Sequence, residues 1–429
     1  MTVKTLFSTA FAAGSILLAG SMANAQSTTL TIACGAVGVE FEQCQADVQI
    51  WEEMTGHSVE ILRLPDATNE RLDLYQDLLS SESPDLDVYQ LDVVWAGLLA
   101  HDLVDFTPYL DANSPEFFEG LIENNTIQDR LIALPWFIDT GLLYYRTDLL
   151  EAHGRSVPET WDELTETSRF IMQQEASGLS GDSLWGFVWQ GDSYEGLTCD
   201  AIEWFHSYTG TTFVEPDLSI TINQPGNVQA LELATSWVGS ISPPETVQHK
   251  EEDSRAIFQR GDAVFMRNWP YAWNTGQQED SPIRGRIGIA PLPSGPAGSA
   301  ACLGGWQLAV SRHSDNVDLA VDLVKFLTNE ESQKRRALDS GYNPSIPALY
   351  DDADLLAEFP QFEQLVEVFQ GGVARPASAT GRGYPLVSRI IQRNVHRALT
   401  GDASAADALQ NMQTQLVRQS HWYGHQPLP

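Results

Sequence analysis

The stretch with the clearest chemical promise is Leu134-Pro135-Trp136-Phe137-Ile138-Asp139-Thr140-Gly141-Leu142-Leu143-Tyr144-Tyr145-Arg146-Thr147-Asp148-Leu149-Leu150. It reads as an apolar strand carrying one carboxylate, Asp139, among aromatics. Leu142-Leu143-Tyr144-Tyr145 follows, and then a helix start at Thr147 or Asp148. An acid beside Trp136 and Phe137 suits a sugar: aromatic faces cover the C–H surface of the ring and the carboxylate accepts from hydroxyls. The ordinary structural alternative is a buried strand whose Asp is held by a neighbour. The company these residues keep decides between the two.

Asp92 has a similar claim. The chain before it alternates a strand at Leu30–Ala33, a helix from Glu40 with Phe41, Cys44, Val48 and Trp51 on one face, a strand at Val59–Leu64, a helix over Glu70–Ser80 and a strand at Asp87–Leu91. That order predicts a parallel sheet covered on both faces, and ligands collect beyond the carboxyl ends of such strands. Asp92 sits at one of those ends.

Further along, Thr160-Trp161-Asp162-Glu163 carries a capping-box signature and opens a helix towards Met172. Gly261–Met266 reads as a strand running into Arg267-Asn268-Trp269-Pro270-Tyr271. Ile287–Pro293 is a strand broken by prolines, a segment suited to carry a chain from one domain to another. A glycine-rich loop, Ser294–Gly298, precedes Gly304-Gly305-Trp306-Gln307. Helices follow over Val317–Leu327 and from a second capping box, Thr328-Asn329-Glu330-Glu331, and the chain from Leu349 on is mostly helical with a loose tail at His421–Pro429.

Residues 1–25, with Lys4, an apolar run and Ala23-Asn24-Ala25, form a secretory signal peptide. Removing it takes Lys4 and no acid, moving the formal charge from −34 to −35. Such a balance excludes nucleic acid and anionic membrane as natural partners, and a solvated acidic surface is its plainest reading. Export permits disulfides among Cys34, Cys44, Cys199 and Cys302, with three formal pairings. Cys34 ends the first strand and Cys44 lies in the next helix, so Cys34–Cys44 is the favoured bridge and Cys199–Cys302 its complement. No cysteine or histidine cluster has zinc spacing, and no metal or cofactor is expected.

These motifs fall in one order over most of the chain: the Leu134–Arg146 block, Tyr194-Glu195-Gly196-Leu197, Asn268-Trp269-Pro270-Tyr271, Leu303-Gly304-Gly305-Trp306 and Arg375-Pro376. In that order the sequence resembles the extracellular solute-binding proteins of ABC sugar importers, the maltose-binding-protein group, and within it the trehalose/maltose/sucrose branch. The resemblance implies an α/β, two-lobed periplasmic binding-protein fold with a hinge of crossing strands. It places residues 26–136 and 293–343 in one lobe and 137–292 and 344–429 in the other.

Carried over residue by residue, the likeness implies hydroxyl recognition by Glu40, Arg71 and Asp92 from the first lobe and by Asp139 from the second. Acids take hydroxyl donors and an Arg fork serves vicinal oxygens. Their ordinary roles would be a helix-start acid, a surface ion pair and a helix cap. Trp269, Tyr271 and Trp306 would be stacking platforms, with Gly304 and Gly305 letting the backbone approach and Arg375 reaching in from the C-terminal region. Asn268 and Glu195 are further candidates, and Phe137 stands where the branch often has Tyr.

The function so implied is periplasmic capture of an α-glucoside disaccharide by a monomer, hinge closure, and delivery to an inner-membrane ABC permease, without catalysis. Glucosylglycerol or another sugar osmolyte is an alternative cargo, and a sensor subunit would share the same pocket. A secreted glycoside hydrolase would need two carboxyl groups at about 5–5.5 or 6.5–9.5 Å across the bond.

Overall fold

The structure is a computed structural model and, apart from Met1, describes residues 27–35, 40–65, 68–112, 114–176, 184–359 and 362–420. The remainder of the expected signal peptide and the expected tail lie outside them. The strands are β1 (Thr29–Ala33), β2 (Ser58–Leu62), β3 (Val88–Asp92), β4 (Thr126–Ile127), β5 (Arg130–Leu131), β6 (Leu134–Thr140), β7 (Leu142–Arg146), β8 (Trp185–Val188), β9 (Ala263–Asn268), β10 (Ile287–Ala290) and β11 (Leu303–Val310). Two sheets carry the lobes, ordered β2-β1-β3-β11-β6 and β10-β7-β9-β8, while β4 and β5 form a small hairpin.

The first lobe follows from its sequence. β1 pairs in parallel with β2 and β3, as the alternation with the helices Glu40–Thr55 and Thr68–Ser80 requires. β11 then runs antiparallel between β3 and β6. β3 and β9 are buried at every position, the near-continuous apolar run of a strand covered on both faces. The second lobe is built on β7 antiparallel to β9 and β10, with β8 parallel to β9, and on a core that joins Trp161, Phe187, Trp189, Trp204 and Trp237.

Sheet membership shifts the expected lobe boundaries. β6 stays in the first sheet to Thr140, so the chain passes to the second at Gly141 and not after 136. The prolines after β10 break its pairing without moving the chain across: Ser294 bridges to Thr160, and Leu292, Ala301 and Cys302 pack in the second core. That crossing therefore falls at Cys302–Leu303 and not at 292/293. The helices Ala353–Glu358 and Phe362–Gln370 pack on β6 and on the helix Glu330–Ser340, so the chain is still with the first lobe well after 343; it touches the second core at Val373 and settles there from Val387 on.

The first capping box forms by half: Glu163 N donates to Thr160 Oγ1 at 3.2 Å, while the Glu163 carboxylate accepts from Glu159 N at 2.8 Å, one residue before the cap. The second does not. Thr328 closes the preceding helix through Val324 O at 2.8 Å, and Asn329 caps the next by accepting from Ser332 N at 2.8 Å. Cys34–Cys44 is a disulfide. The complementary bridge is absent: Cys199 and Cys302 are free, buried thiols in contact with each other, and burial first, then that contact, pushes the Cys199 thiol up. Among the described residues no helix is long and apolar enough to cross a membrane.

Candidate functional site

A cavity of about 420 Å³ draws its walls from both sheets. From the first lobe come Glu40 at the start of its helix, Thr68 and Arg71 on the next, Asp92 at the end of β3, and Gly304, Gly305 and Trp306 on β11. From the second come Tyr194 and Glu195 at the start of the helix Glu195–Thr209, Lys250 to Asp253 at the start of Glu251–Gln259, Trp269 and Tyr271 beyond β9, and Arg375. Asp139, near the end of β6, and Tyr342, after the helix Glu330–Ser340, complete the lining from the first lobe. Helix starts and strand ends converge here, as expected beyond the carboxyl edge of an α/β sheet.

Each of the two tryptophans has one face already covered. The Arg71 guanidinium lies over Trp306 at 4.6 Å and that of Arg267 over Trp269 at 4.1 Å, so a ligand meets the opposite face or the edge. Arg267 is itself fixed below the cavity by Asp200 at 3.0 Å, by Glu203, and by Gln190 Oε1 at 3.1 Å. Trp269 Nε1 faces Glu251 Oε1 at 3.4 Å, and Tyr271 donates to Glu252 Oε1 at 2.6 Å.

The two glycines are geometrically required. A Cβ on Gly304 would lie 2.9 Å from the Trp269 ring. Gly305 has φ +112° beside a register shift between Trp306 and Gln307, and a Cβ there would collide with the Phe137 carbonyl.

Asp139 keeps part of its side chain open to the cavity and has no hydrogen-bond partner among the described residues. Burial, then the charges of Glu40 and Asp92, push its carboxyl from 3.8 up to about 8, against the pull of Arg267. In the empty protein the group is thus mostly protonated at neutral pH. The folded-state value lies above the unfolded one, so this group's contribution to stability is full below about pH 4 and is lost as pH rises through 8. Asp139→Asn is therefore expected to melt at or above the parent near pH 8, with the gap closing towards pH 4; thermal melting across that range checks it, and a gap independent of pH refutes it.

Ten of the eleven residues singled out from sequence line this one cavity; Phe137 does not. Phe137 is 2% exposed and its ring lies against Tyr342, with centroids 4.7 Å apart, so Tyr342 presents a phenol where the sequence had placed Phe137. Asn268 is also absent from the lining. It is fully buried, donates to Glu251 O at 3.1 Å and accepts from Trp269 N at 2.8 Å, so it braces the platform from behind. Glu195 lines the cavity but is spent on protein: it accepts from Tyr384, from Arg375 at 2.7 Å and from Ser388 at 2.5 Å. Sequence reasoning passed over Thr68, Tyr194, Tyr342 and Lys250 to Asp253. Tyr194 stood inside a quoted motif, and the Lys250-Glu251-Glu252-Asp253 run was visible as a charged helix start.

Three comparisons bear on this geometry. The chain is 44% identical over 397 residues, 92% of its length and 94% of the relative's, to a probable ABC transporter-binding protein of Deinococcus radiodurans. It superposes on the structure of maltose-bound MalE3 from T. maritima with a TM-score of 0.85 at 38% identity, covering 91% of this chain and 100% of that one. The acarbose receptor GacH of Streptomyces glaucescens, at 21% identity and a TM-score of 0.82 over 92% and 99% of the two chains, shares the fold. The two-lobed architecture with its cleft is common to them. Residues 48–364 match the family model of bacterial extracellular solute-binding proteins, and to that family the chain belongs.

Proposed function

We propose that this ABC-transporter binding protein captures a disaccharide of the α-glucoside type, such as trehalose, maltose or sucrose, in the cavity between its lobes and delivers it to a membrane permease. The observation that carries the reading is the pairing of Trp269 and Trp306, each backed by an arginine on one face, around Asp139, which has no hydrogen-bond partner among the described residues. Rings that stack on C–H faces and carboxylates that accept from hydroxyls are what a neutral sugar requires. The volume, about 420 Å³, lies in the range of small-ligand sites. The maltose bound in the MalE3 structure supports the same class of cargo.

In this reading Glu40, Arg71, Asp92 and Asp139 hold hydroxyls, Trp269, Tyr271 and Trp306 hold ring faces, and Gly304 and Gly305 admit the sugar to the backbone. Contacts made by both lobes favour the closed state, the form the permease would recognise. A bound hydroxyl donating to Asp139 favours its charged form, so binding would release protons below about pH 8 and tighten as pH rises towards that value.

The test is melting of the purified protein against trehalose, maltose, sucrose, palatinose, glucosylglycerol and glucose. A ligand held only by the native state adds about 2.7 kcal/mol at 100 times its dissociation constant. A large shift with one disaccharide and none with glucose supports the assignment. A shift with glucosylglycerol alone replaces it by an osmolyte receptor, and no shift with any of them refutes the α-glucoside class.

A further inference from the structure

Arg375 departs from the pattern of a sugar contact. It is 5% exposed, and its two terminal nitrogens are engaged by protein: Nη2 with Asp92 Oδ1 at 3.1 Å and Nη1 with Glu195 Oε1 at 2.7 Å. The two carboxylates belong to opposite sides of the cleft. Asp92 ends β3 of the first sheet and caps the turn after it at Val94 N, 3.1 Å away. Glu195 opens a helix of the second core and is held by Tyr384 and by Ser388, both on the helix Tyr384–Leu399.

The chain around Arg375 bridges in the same way. Before it, Val373 N donates to Ala301 O at 2.8 Å, inside the second lobe. After it, Ala377–Thr380 and Gly381–Gly383 pack against Val93–Trp95 and Ala96–Leu99 of the first lobe. The chain then returns to the second core, where Val387, Ile390 and Ile391 are buried. A buried guanidinium thus sits in a strap with ends in both lobes, paired at once with an acid from each.

We propose that Arg375 is a latch for the closed cleft, a positioning residue whose effect on affinity runs through the population of the closed state. This rests on the reading of the cavity as a ligand cleft that closes. Opening would pull Asp92 from Arg375 and leave a charge poorly paired, so the pair opposes opening before any ligand arrives. A contact made only in the closed state raises the apparent affinity of every ligand that selects that state, by one common factor.

The experiment uses Arg375→Gln, Glu195→Gln, the double variant and Arg375→Lys. Small-angle scattering gives the radius of gyration without ligand, and calorimetry gives the affinity for maltose and trehalose. Expected are a larger ligand-free radius in both single variants and an affinity loss of about tenfold, within the usual range of such couplings, by the same factor for each sugar that binds. The double variant should be no worse than the singles, and Arg375→Lys should recover part of the closed population.

An unchanged ligand-free radius in both single variants overturns the latch, as do additive losses in the double variant. A direct sugar contact from the remaining Nε–H would make the loss differ between sugars and leave Glu195→Gln mild. Should neither sugar bind the parent protein, the cargo reading fails while the ligand-free radii still decide the latch. Near-ultraviolet circular dichroism matching the parent excludes misfolding as the cause of an expanded radius.

Discussion

Sugar affinity is expected to fall at least about 30-fold when Trp269 is replaced by alanine, the loss typical of a buried aromatic anchor at a binding hot spot. Arg267 covers one face of the ring at 4.1 Å and Gly304 lies against its edge, so the indole cannot be replaced by a neighbour swinging in. Truncation removes the stacking surface and leaves Glu251 Oε1 without its 3.4 Å contact. It also exposes one face of a guanidinium that is otherwise fully enclosed by Asp200 and Glu203. Trp269→Phe keeps a ring over the arginine and should lose less. Calorimetric titration checks both, with melting of the empty protein as the control for folding. Binding of the alanine variant within threefold of the parent would mean that the ligand does not stack there.

Much of this site was legible because its residues occur at punctuation marks of the sequence. Asp92 follows a strand, Glu40 begins a helix, Trp269 and Tyr271 flank a proline after a strand, and Trp306 follows two glycines. Strand ends and helix starts are where an α/β fold gathers its ligand contacts, so periodicity and turn chemistry find them together.

What was not legible depends on contacts distant in sequence. Phe137 shares a strand face with Asp139, and alternation alone puts both in the cleft. Tyr342, more than two hundred residues on, lies across it, and nothing in Gly341-Tyr342-Asn343-Pro344 announces that. The change of sheet is hidden for a related reason: β6 and β7 are both apolar and are separated by Gly141 alone, so composition gives no sign of where it falls. Arg375 was assigned to the sugar by likeness. Only the positions of Asp92 and Glu195 show that its terminal nitrogens are already committed.

Replacing Arg267 by leucine is expected to cost about 3–5 kcal/mol of stability, the largest effect of any single change near the cavity, because it breaks a buried ion cluster and leaves its acids behind. Arg267 is 1% exposed, and Asp200 and Glu203 on the neighbouring helix are 1% and 0% exposed. Burial pushes the Asp200 carboxyl well up even with the arginine present, and without it two acids would share an apolar interior. Loss of the arginine removes the pull that opposes this, so the Asp200 carboxyl holds its proton to higher pH than in the parent. The folded variant therefore binds more protons than its unfolded chain between the ordinary carboxylate range and neutrality, and its deficit should shrink as pH falls from 7 to 5. Urea unfolding at the two pH values measures this, and a deficit that grows towards pH 5 would contradict it. Adding Glu203→Gln to Arg267→Leu removes one stranded charge and should recover part of the loss, although Glu203 Oε1 also accepts from Cys302 N at 3.1 Å and that bond must be kept by the amide oxygen. Sugar binding falls with the same substitution by a separate route, because Trp269 loses the guanidinium that backs its ring. Stability and affinity in this lobe therefore depend on one buried cation, placed behind the platform and out of reach of the ligand.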